Sequence, residues 1–238
     1  MKTAAIVLAA GSGSRMHSDI KKQYMEIGEK PLIYYSLKAF EDSFTNEIVL
    51  VVSPGDIDYC RVNIVDRYDI KKVIKIVEGG AERYDSVRLG LHAVSANTDY
   101  VMIHDGARPF VSEDIMQRAV EGARDYRACV VGMPVKDTIK IANKDCFAKE
   151  TPDRNSLWMI QTPQTFEYKL IRELYDMLEE QKEDIAKKGI SITDDAMVVE
   201  TFSDVKVKLT YGSYNNIKVT TPEDIVIANA ILGLNHSC

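Results

Sequence analysis

The chain has 238 residues, of which 45% are hydrophobic and 28% charged, and its formal net charge is −6. These values are typical of an ordinary soluble globular protein, and the acidic balance argues against a nucleic-acid partner, since general nucleic-acid binders carry a basic surplus. No apolar run approaches the ~20 residues of a membrane span, so we expect no membrane partner and a cytoplasmic location. The four cysteines and four histidines are scattered and indicate neither a disulfide framework nor a zinc site.

The first predicted strand, residues 4–8, is short and apolar and leads into a loop of small residues. Gly11 and Gly13 allow a ligand to approach the backbone closely, and free N–H groups at such a position bind phosphate. Arg15 adds a planar fork of donors, and Lys21 or Lys22 adds a mobile point charge. The loop therefore indicates either an oligophosphate site or a tight turn with two surface cations.

Two better-known glycine motifs do not fit this loop. The dinucleotide fingerprint G-x-G-x-x-G would require glycine where Met16 stands, and an acid at the end of the second strand, where the chain has Ser53 and Pro54. The P-loop string G-x-x-x-x-G-K-[ST] does not occur. An NAD-dependent oxidoreductase is therefore disfavoured.

Helices and strands then alternate along the chain. Apolar spacing predicts helices over 31–40, 57–66, 82–95 and 112–126, and strands over 47–52, 73–77, 100–104 and 128–133. This alternation predicts an α/β fold, a Rossmann-like, doubly wound, mostly parallel sheet with helices on both faces. We expect a single domain over residues 1–238.

In such a sheet, ligands lie beyond the carboxyl ends of the strands. Gly79 and Gly80 follow the third strand, with Arg83 and Ser86 in the first turns of the next helix, and Asp105 follows the fourth. Each of these alone could be a turn or a cap. A carboxylate beside a phosphate cluster is unfavourable unless a cation lies between them, and Mg²⁺ with few protein ligands resolves that conflict.

The second half of the chain departs from the alternation. Residues 134–150 read as a protruding β-hairpin that is too small to hold a core, and a second subunit is the obvious surface for it to pack on. Further helices are predicted over 167–180, from Thr193-Asp194-Asp195 to 201, and from Thr221-Pro222 onward, with strands over 205–209 and 216–220. The charged stretch 179–184 is expected to be a solvated helix end. The pair Asp194 and Asp195 reads as a helix cap or as a metal pair.

Nine strings in family order give the whole chain a specific resemblance to the 2-C-methyl-D-erythritol 4-phosphate cytidylyltransferases of the non-mevalonate isoprenoid pathway. They are LAAGSGSRM (8–16), KQY (22–24), GGAERYDSV (79–87), HDGARP (104–109), DTIK (137–140), TPDRNSLW (151–158), QTPQ (161–164), ITDDA (192–196) and NIKVTTPED (216–224). The resemblance implies a fold of the nucleotide-diphospho-sugar transferase type and transfer of CMP from CTP, the co-substrate, to a sugar-alcohol phosphate with release of pyrophosphate.

The resemblance also implies roles for individual residues. Arg15 and Lys22 would stabilise the transition state, Arg154 and Lys218 would position the acceptor phosphate, and Asp105 would hold Mg²⁺. The nucleotide would be bound by Ala10, Gly11, Ser12, Gly13, Gly80, Arg83, Ser86 and Gly106, and the acceptor also by Thr138 and Thr193. The hairpin at about 137–158 would be an arm swapped within a homodimer, so that Thr138 and Arg154 serve the partner's site. Ala81 stands where some relatives carry an acid, and no catalytic role is assigned to it.

Two further hypotheses remain beside this one. Ribitol-5-phosphate cytidylyltransferase, a sister enzyme of teichoic-acid synthesis, has similar nucleotide loops, although TPDRNSLW and ITDDA fit the methylerythritol enzyme better. A non-catalytic nucleotide-binding or scaffold protein is disfavoured, because it would not require Arg15, Lys22, Asp105, Arg154 and Lys218 together.

Overall fold

The strands of the protein follow from its short β-branched and apolar segments. The computed structural model describes residues 1–11 and 20–233, so the predicted site residues Ser12, Gly13 and Arg15 lie outside the described residues. The strands in those ranges are β1 Thr3–Ala9, β2 Glu26–Ile27, β3 Lys30–Pro31, β4 Glu47–Val52, β5 Val73–Glu78, β6 Tyr100–Asp105, β7 Ala128–Pro134, β8 Ile141–Ala142, β9 Ala148–Glu150, β10 Trp158–Glu167 and β11 Lys208–Tyr211.

The helices alternate with these strands as the apolar spacing predicts. They are α1 Leu32–Asp42, α2 Ile57–Cys60 with a π-helical continuation Arg61–Asp66, α3 Arg83–Ala93, α4 Glu113–Tyr126, α5 Tyr168–Glu180, α6 Lys182–Lys187, α7 Asp195–Phe202 and α8 Pro222–Ile231. None of the helices within residues 1–11 and 20–233 has the length and apolar character needed to cross a membrane.

The main sheet has seven strands in the order β11-β7-β10-β6-β1-β4-β5. Adjacent strands in this sheet are parallel, except that β10 runs antiparallel to both β6 and β7. The predicted mostly parallel, doubly wound α/β sheet is therefore confirmed. Strand β10 was missed because Pro163 and its polar neighbours interrupt the apolar pattern of residues 158–167.

Both faces of the sheet are buried, as the continuous apolar strands predict. Along β1, Ala4 and Ile6 pack on the side of α3, α5 and α7, whereas Ala5 and Val7 pack on the side of α1, α2 and α4. A smaller cluster joins Ile27 to α8. The two apolar layers cover the faces of the sheet, and the edge formed by the carboxyl ends of its parallel strands stays accessible.

Helix starts follow the capping residues of the sequence. Thr221 and Asp224 form a capping box with Pro222 in the first turn of α8. Asp194 is the N-cap of α7, and its carboxylate accepts the Met197 N–H at 3.0 Å. The capping interpretation of the Asp194–Asp195 pair thus holds for Asp194.

One local prediction was wrong. The stretch 216–220 forms no strand: its Val219 N–H donates to the Ala107 carbonyl at 2.8 Å instead. A tertiary contact decided the conformation of this short segment. The charged stretch 179–184 is exposed except at Lys182, as predicted, and the chain continues from it into α6.

The hairpin β8–β9 stands apart from the main sheet. These two strands pair with each other as a separate sheet, and residues 136–151 are exposed throughout. Phe147, near its tip, is 71% exposed. The protruding arm that the sequence predicts is present, with its apolar side chains uncovered.

Candidate active site

An open pocket of about 410 Å³ lies at the carboxyl edge of the sheet. It forms where β1 and β6 end side by side, with Leu8 opposite Asp105 in the parallel register. The lining residues are Leu8, Ala9, Ala10, Gly11, Lys22, Gln23, Gly80, Ala81, Glu82, Arg83, Ser86, Asp105, Ala107 and Lys218. Eight of these were predicted as site residues. Those near the ends of β1, β5 and β6 were expected because the ends of parallel strands converge at one edge, and Lys218 was expected from the family resemblance.

The wall between β1 and β5 is built from small residues that approach each other closely. A Cβ atom at Gly79 would lie 2.5 Å from Ala10 Cβ and 2.6 Å from Ser86 Oγ, so a side chain has no room there. The Ser86 hydroxyl accepts the Gly80 N–H at 3.1 Å and donates to the Glu82 carbonyl at 3.2 Å. Ser86 therefore ties the glycine turn to the start of α3, and Gly79 is the point at which this turn approaches Ala10.

Asp105 is the carboxylate at the floor of the pocket. Lys218 Nζ lies 2.7 Å from it, Arg83 Nε 3.6 Å and Arg108 Nε 4.0 Å. Burial alone would raise the pKa of the Asp105 carboxyl, but the charges of Arg83, Lys218 and Arg108 outweigh it and hold this pKa well below its usual value. Asp105 is ionised at neutral pH and sits in a local excess of positive charge.

A buried acid fixes Arg83 at the pocket wall. Its guanidinium donates two hydrogen bonds, of 2.8 Å and 2.7 Å, to the carboxylate of Asp195, which is 0% exposed. The Tyr175 hydroxyl donates to the same carboxylate. Burial would lower the pKa of Arg83, but Asp195 raises it above its usual value, so the guanidinium stays charged. Asp195 is thus neither a metal ligand nor a cap but the anchor of Arg83.

The structure separates the two adjacent lysines that the sequence offered. Lys21 Nζ bonds both carboxylate oxygens of Asp56 at 2.7 Å, whereas Lys22 lines the pocket. The neighbouring Gln23 is buried and donates to the Ala9 carbonyl at 2.8 Å, which ties this turn to the end of β1. Lys22 is therefore the cation of this pair that faces the pocket.

Four predicted residues do not line this pocket. Gly106 lies directly beneath it, with its N–H bonded to the Leu8 carbonyl at 2.8 Å and no space for a Cβ beside Ile33. Thr193 is exposed ahead of α7. Thr138 and Arg154 lie in and beside the arm, where Arg154 donates to the Lys136 carbonyl at 2.9 Å. One chain alone does not bring these arm residues to its own pocket.

Sequence reasoning missed three residues of the site: His104, Arg108 and Asp195. Arg108 Nη1 bonds the Asn216 carbonyl at 2.8 Å, and its Nε has no hydrogen-bond partner among the described residues. His104 and Arg108 belong to the HDGARP string, and the position of Arg108 in the same turn as Asp105 could have indicated a role in the site. No such signal existed for the pairing of Asp195 with Arg83, because the two residues are 112 positions apart.

The chain matches a known enzyme family along nearly its whole length. The family model described as 2-C-methyl-D-erythritol 4-phosphate cytidylyltransferase (IspD) matches residues 3–234. The chain belongs to this family. The resemblance that the nine sequence strings indicated is thereby confirmed.

Individual relatives agree with the IspD family match over nearly the whole chain. The 2-C-methyl-D-erythritol 4-phosphate cytidylyltransferase of Lachnospira eligens is 51% identical, covering 96% of this chain and 98% of its own. That of Lachnoclostridium phytofermentans is 47% identical, covering 97% and 96%. These names do not favour the ribitol-phosphate alternative.

Solved structures give the same result for the fold. The 4-diphosphocytidyl-2C-methyl-D-erythritol synthase of Anaerococcus prevotii superposes with a TM-score of 0.83 at 35% identity, covering 98% of this chain and 96% of that one. The Thermus thermophilus 2-C-methyl-D-erythritol 4-phosphate cytidylyltransferase gives 0.76 at 29% identity, covering 97% and 98%. The Rossmann-like α/β architecture is that of the IspD family.

Proposed function

We propose that this protein transfers CMP from CTP to 2-C-methyl-D-erythritol 4-phosphate, giving 4-diphosphocytidyl-2-C-methyl-D-erythritol and pyrophosphate for isoprenoid precursors. The observation that carries the proposal is the pocket itself, where Arg83 and Lys218 flank the Asp105 carboxylate and Lys22 lines the same cavity beside a wall of small residues. Such a pocket suits a triphosphate and a second phosphate together. Membership of the IspD family supports the same reaction.

The chemistry needs no protein nucleophile. A phosphate oxygen of the acceptor attacks the α-phosphorus of CTP, the new P–O bond forms, and the bond to the β-phosphate oxygen breaks as pyrophosphate leaves with its electron pair. The task of the protein is to bring two anions together and stabilise the negative charge that builds up on the leaving group. We assign this stabilisation to Lys22 and Arg15.

Nucleotide binding falls to the wall of small residues. Backbone groups at 10–13 and at Gly80, with Ser86 and Arg83, would contact the base, ribose and phosphates. The close approach of Gly79 to Ala10 supports this assignment, since it brings the β1 loop and the glycine turn to the same side of the pocket. Gly106 would act from beneath by keeping the turn after β6 close to β1.

Asp105 fits a Mg²⁺ ion that arrives with the triphosphate. In the part of the chain that the structure describes, no group of three or more His, Cys, Asp or Glu side chains could hold a metal ion. Mg²⁺ on phosphates typically takes only one or two carboxylates, so the ionised Asp105 is a sufficient protein ligand. Bound there, the ion would neutralise the phosphate oxygens of CTP. Lys218 would then leave Asp105 for the acceptor phosphate.

The acceptor side would be completed by a second copy of the chain. We propose a homodimer in which each arm crosses to the partner, so that Thr138 and Arg154 join Lys218 and Thr193 at the acceptor. The exposed apolar side chains of the arm and its base, among them Ile139, Ile141 and Phe147, support such a covered surface. Residues 1–238 would act as one catalytic domain carrying this arm.

The experiment that tests the function is pyrophosphate release from CTP and Mg²⁺ with two acceptors in separate reactions. We expect rapid release with 2-C-methyl-D-erythritol 4-phosphate and little with ribitol 5-phosphate. The Lys22→Ala variant serves as the blank, and omission of Mg²⁺ tests the metal. Preference for ribitol 5-phosphate would overturn the assignment of the acceptor. CTP binding without pyrophosphate release with either acceptor would overturn the enzymatic assignment.

A further inference from the structure

Four residues behind Asp105 form a closed ring of hydrogen bonds. The Thr162 hydroxyl and His104 Nδ1 are 3.0 Å apart, and His104 Nε2 lies 3.0 Å from the Arg108 carbonyl. Arg108 Nη1 donates to the Asn216 carbonyl at 2.8 Å, and Asn216 Nδ2 donates to the Thr162 carbonyl at 2.9 Å. The ring joins the end of β6, the middle of β10 and the stretch before Lys218. It is called the His104 ring below.

The partners in the ring fix the protonation of His104. A carbonyl oxygen only accepts, so Nε2 must carry the hydrogen that points at Arg108. The Thr162 hydroxyl accepts the Asp105 N–H at 3.1 Å, and we assign its own hydrogen to Nδ1, the other ring nitrogen, 3.0 Å away. This assignment makes His104 the neutral Nε2–H tautomer, with its imidazole fully buried.

Both charged groups on the pocket floor are attached to this ring. Asp105 is attached because its backbone N–H donates a hydrogen bond to the Thr162 hydroxyl. Lys218 lies between Asn216, which belongs to the ring, and Val219, whose N–H bonds the Ala107 carbonyl at 2.8 Å. Since 216–220 has no strand partner, these two attachments determine where the Lys218 backbone runs.

We propose that His104 and Thr162 are positioning residues that hold Asp105 and Lys218 in register across the pocket through the His104 ring. Neither side chain lines the pocket, so both act through the residues they bond. The inference rests on the proposed function, in which Asp105 and Lys218 handle the metal-bound triphosphate and the acceptor. By contrast, the nucleotide wall of Ala10, Gly80 and Ser86 has no hydrogen bond to the ring within residues 1–11 and 20–233.

The test uses threonine substitutions on one strand. Thr162→Val removes the ring hydroxyl at nearly constant volume, and Thr162→Ser keeps it. Thr165→Val is the matched control, because Thr165 is also buried on β10 and its hydroxyl has no hydrogen-bond partner in the described residues. Outer partners of this kind typically change activity about 10–100-fold, so we expect a loss of that size in kcat for Thr162→Val, with a raised acceptor KM.

The other variants separate positioning from packing. Thr162→Ser and Thr165→Val should keep kcat within about threefold of the unmodified protein, and the affinity for CTP without Mg²⁺ should change little in all three variants. His104→Gln retains a donor for the Arg108 carbonyl and should lose less activity than His104→Leu, which retains none. If Thr162→Val behaves like Thr165→Val, or weakens the binding of metal-free CTP as much as it slows turnover, the proposal is overturned.

A spectroscopic measurement keeps the ring testable even if the proposed reaction fails. In ¹⁵N-histidine-labelled protein, His104 should show one protonated and one unprotonated ring nitrogen at neutral pH. The unprotonated signal should shift in Thr162→Val, where Nδ1 loses its donor, and remain in place in Thr165→Val. A protonated Nδ1, or no shift in Thr162→Val, would overturn the ring whatever the activity of the protein.

Discussion

The pocket and the arm are built on opposite principles. In the pocket, charged side chains are held by partners within the same chain: Arg83 by Asp195 and Lys218 by Asp105. In the arm, residues 136–151 are exposed, and β8 and β9 pair with each other alone. A short two-stranded hairpin is at best marginally stable in water by itself. The comparison indicates that the pocket is preorganised within one chain, whereas the arm has no covering surface among the described residues. The proposed homodimer would supply that surface.

The sharpest way to break the pocket is to remove the cation that faces it. Lys22→Ala should lower kcat by about 10²–10³-fold, the cost of losing one donor that stabilises transition-state charge. The matched control is Lys21→Ala, since Lys21 is engaged by Asp56 and should matter far less. Pyrophosphate release measures both, with circular dichroism to show an unchanged fold. Equal losses in the two variants would remove the distinction between the lysines.

The arm is tested by mixing inactive subunits. If Arg154 serves the partner's pocket, a heterodimer of Lys22→Ala and Arg154→Ala chains holds one site with both cations and one with neither. Equal mixing gives heterodimers in half of the population, so about a quarter of the unmodified activity should return. The measurement is turnover after refolding or co-expression of two differently tagged chains. Verified heterodimers without recovered activity would place Arg154 in its own chain's site.

Preorganisation of the pocket is tested at the anchor of Arg83. Asp195→Asn removes the charge of the bidentate partner of Arg83 and leaves only Asp105, at 3.6 Å, as a counter-charge. Because Arg83 is partly exposed, we expect a loss of about 2 kcal/mol in unfolding free energy. The control is Asp176→Asn, which weakens half-exposed contacts with Arg88 and His92 worth about 0–1 kcal/mol. Urea unfolding measures both variants. CTP affinity should fall in Asp195→Asn alone, and an unchanged affinity would contradict the anchoring role.

The buried histidine gives the pocket region a pH-dependent stability. Burial lowers the pKa of His104 to about 4, below the ordinary value near 6.5 of the unfolded chain. Between these values the unfolded state binds the extra proton, so acidification destabilises the fold, by about 1–2 kcal/mol from pH 7 to pH 5. His104→Gln should flatten this part of the stability curve. Leu91→Ala, which creates a cavity in the core, should lower the unfolding free energy at every pH without changing its slope against pH.

Much of the fold and half of the site could be predicted from local sequence. The order of helices and strands was readable because each segment carries its own apolar period and its own cap, such as Thr221 and Asp224 before α8. Residues at the ends of β1, β5 and β6 could be grouped because parallel strands point one way. That topology is sufficient to bring these residues into one pocket, and the pocket does contain Ala10, Gly80 and Asp105 together.

The remaining features depend on contacts between distant residues. Local chemistry allowed either Lys21 or Lys22, the KQY string favoured Lys22, and only the structure shows that Asp56 engages Lys21. Strand β10 could not be read, because its buried Thr162 and Gln164 are polar and are satisfied by His104, Asp194 and the N–H of Ala196. A buried polar side chain cannot be recognised from sequence as part of the core until its hydrogen-bond partner is known.

The sequence by itself determined the class of fold, the edge of the sheet where the site lies and the family, since these follow from local periods, caps and ordered motifs. Only the tertiary structure showed that Asp56 engages Lys21, how Asp195 anchors Arg83 and how the His104 ring supports Asp105 and Lys218. The physical reason is that hydrogen bonds and ion pairs act over about 3 Å. Residues 35 to 112 positions apart, such as Lys21 with Asp56 and Arg83 with Asp195, reach that distance only once the sheet has formed.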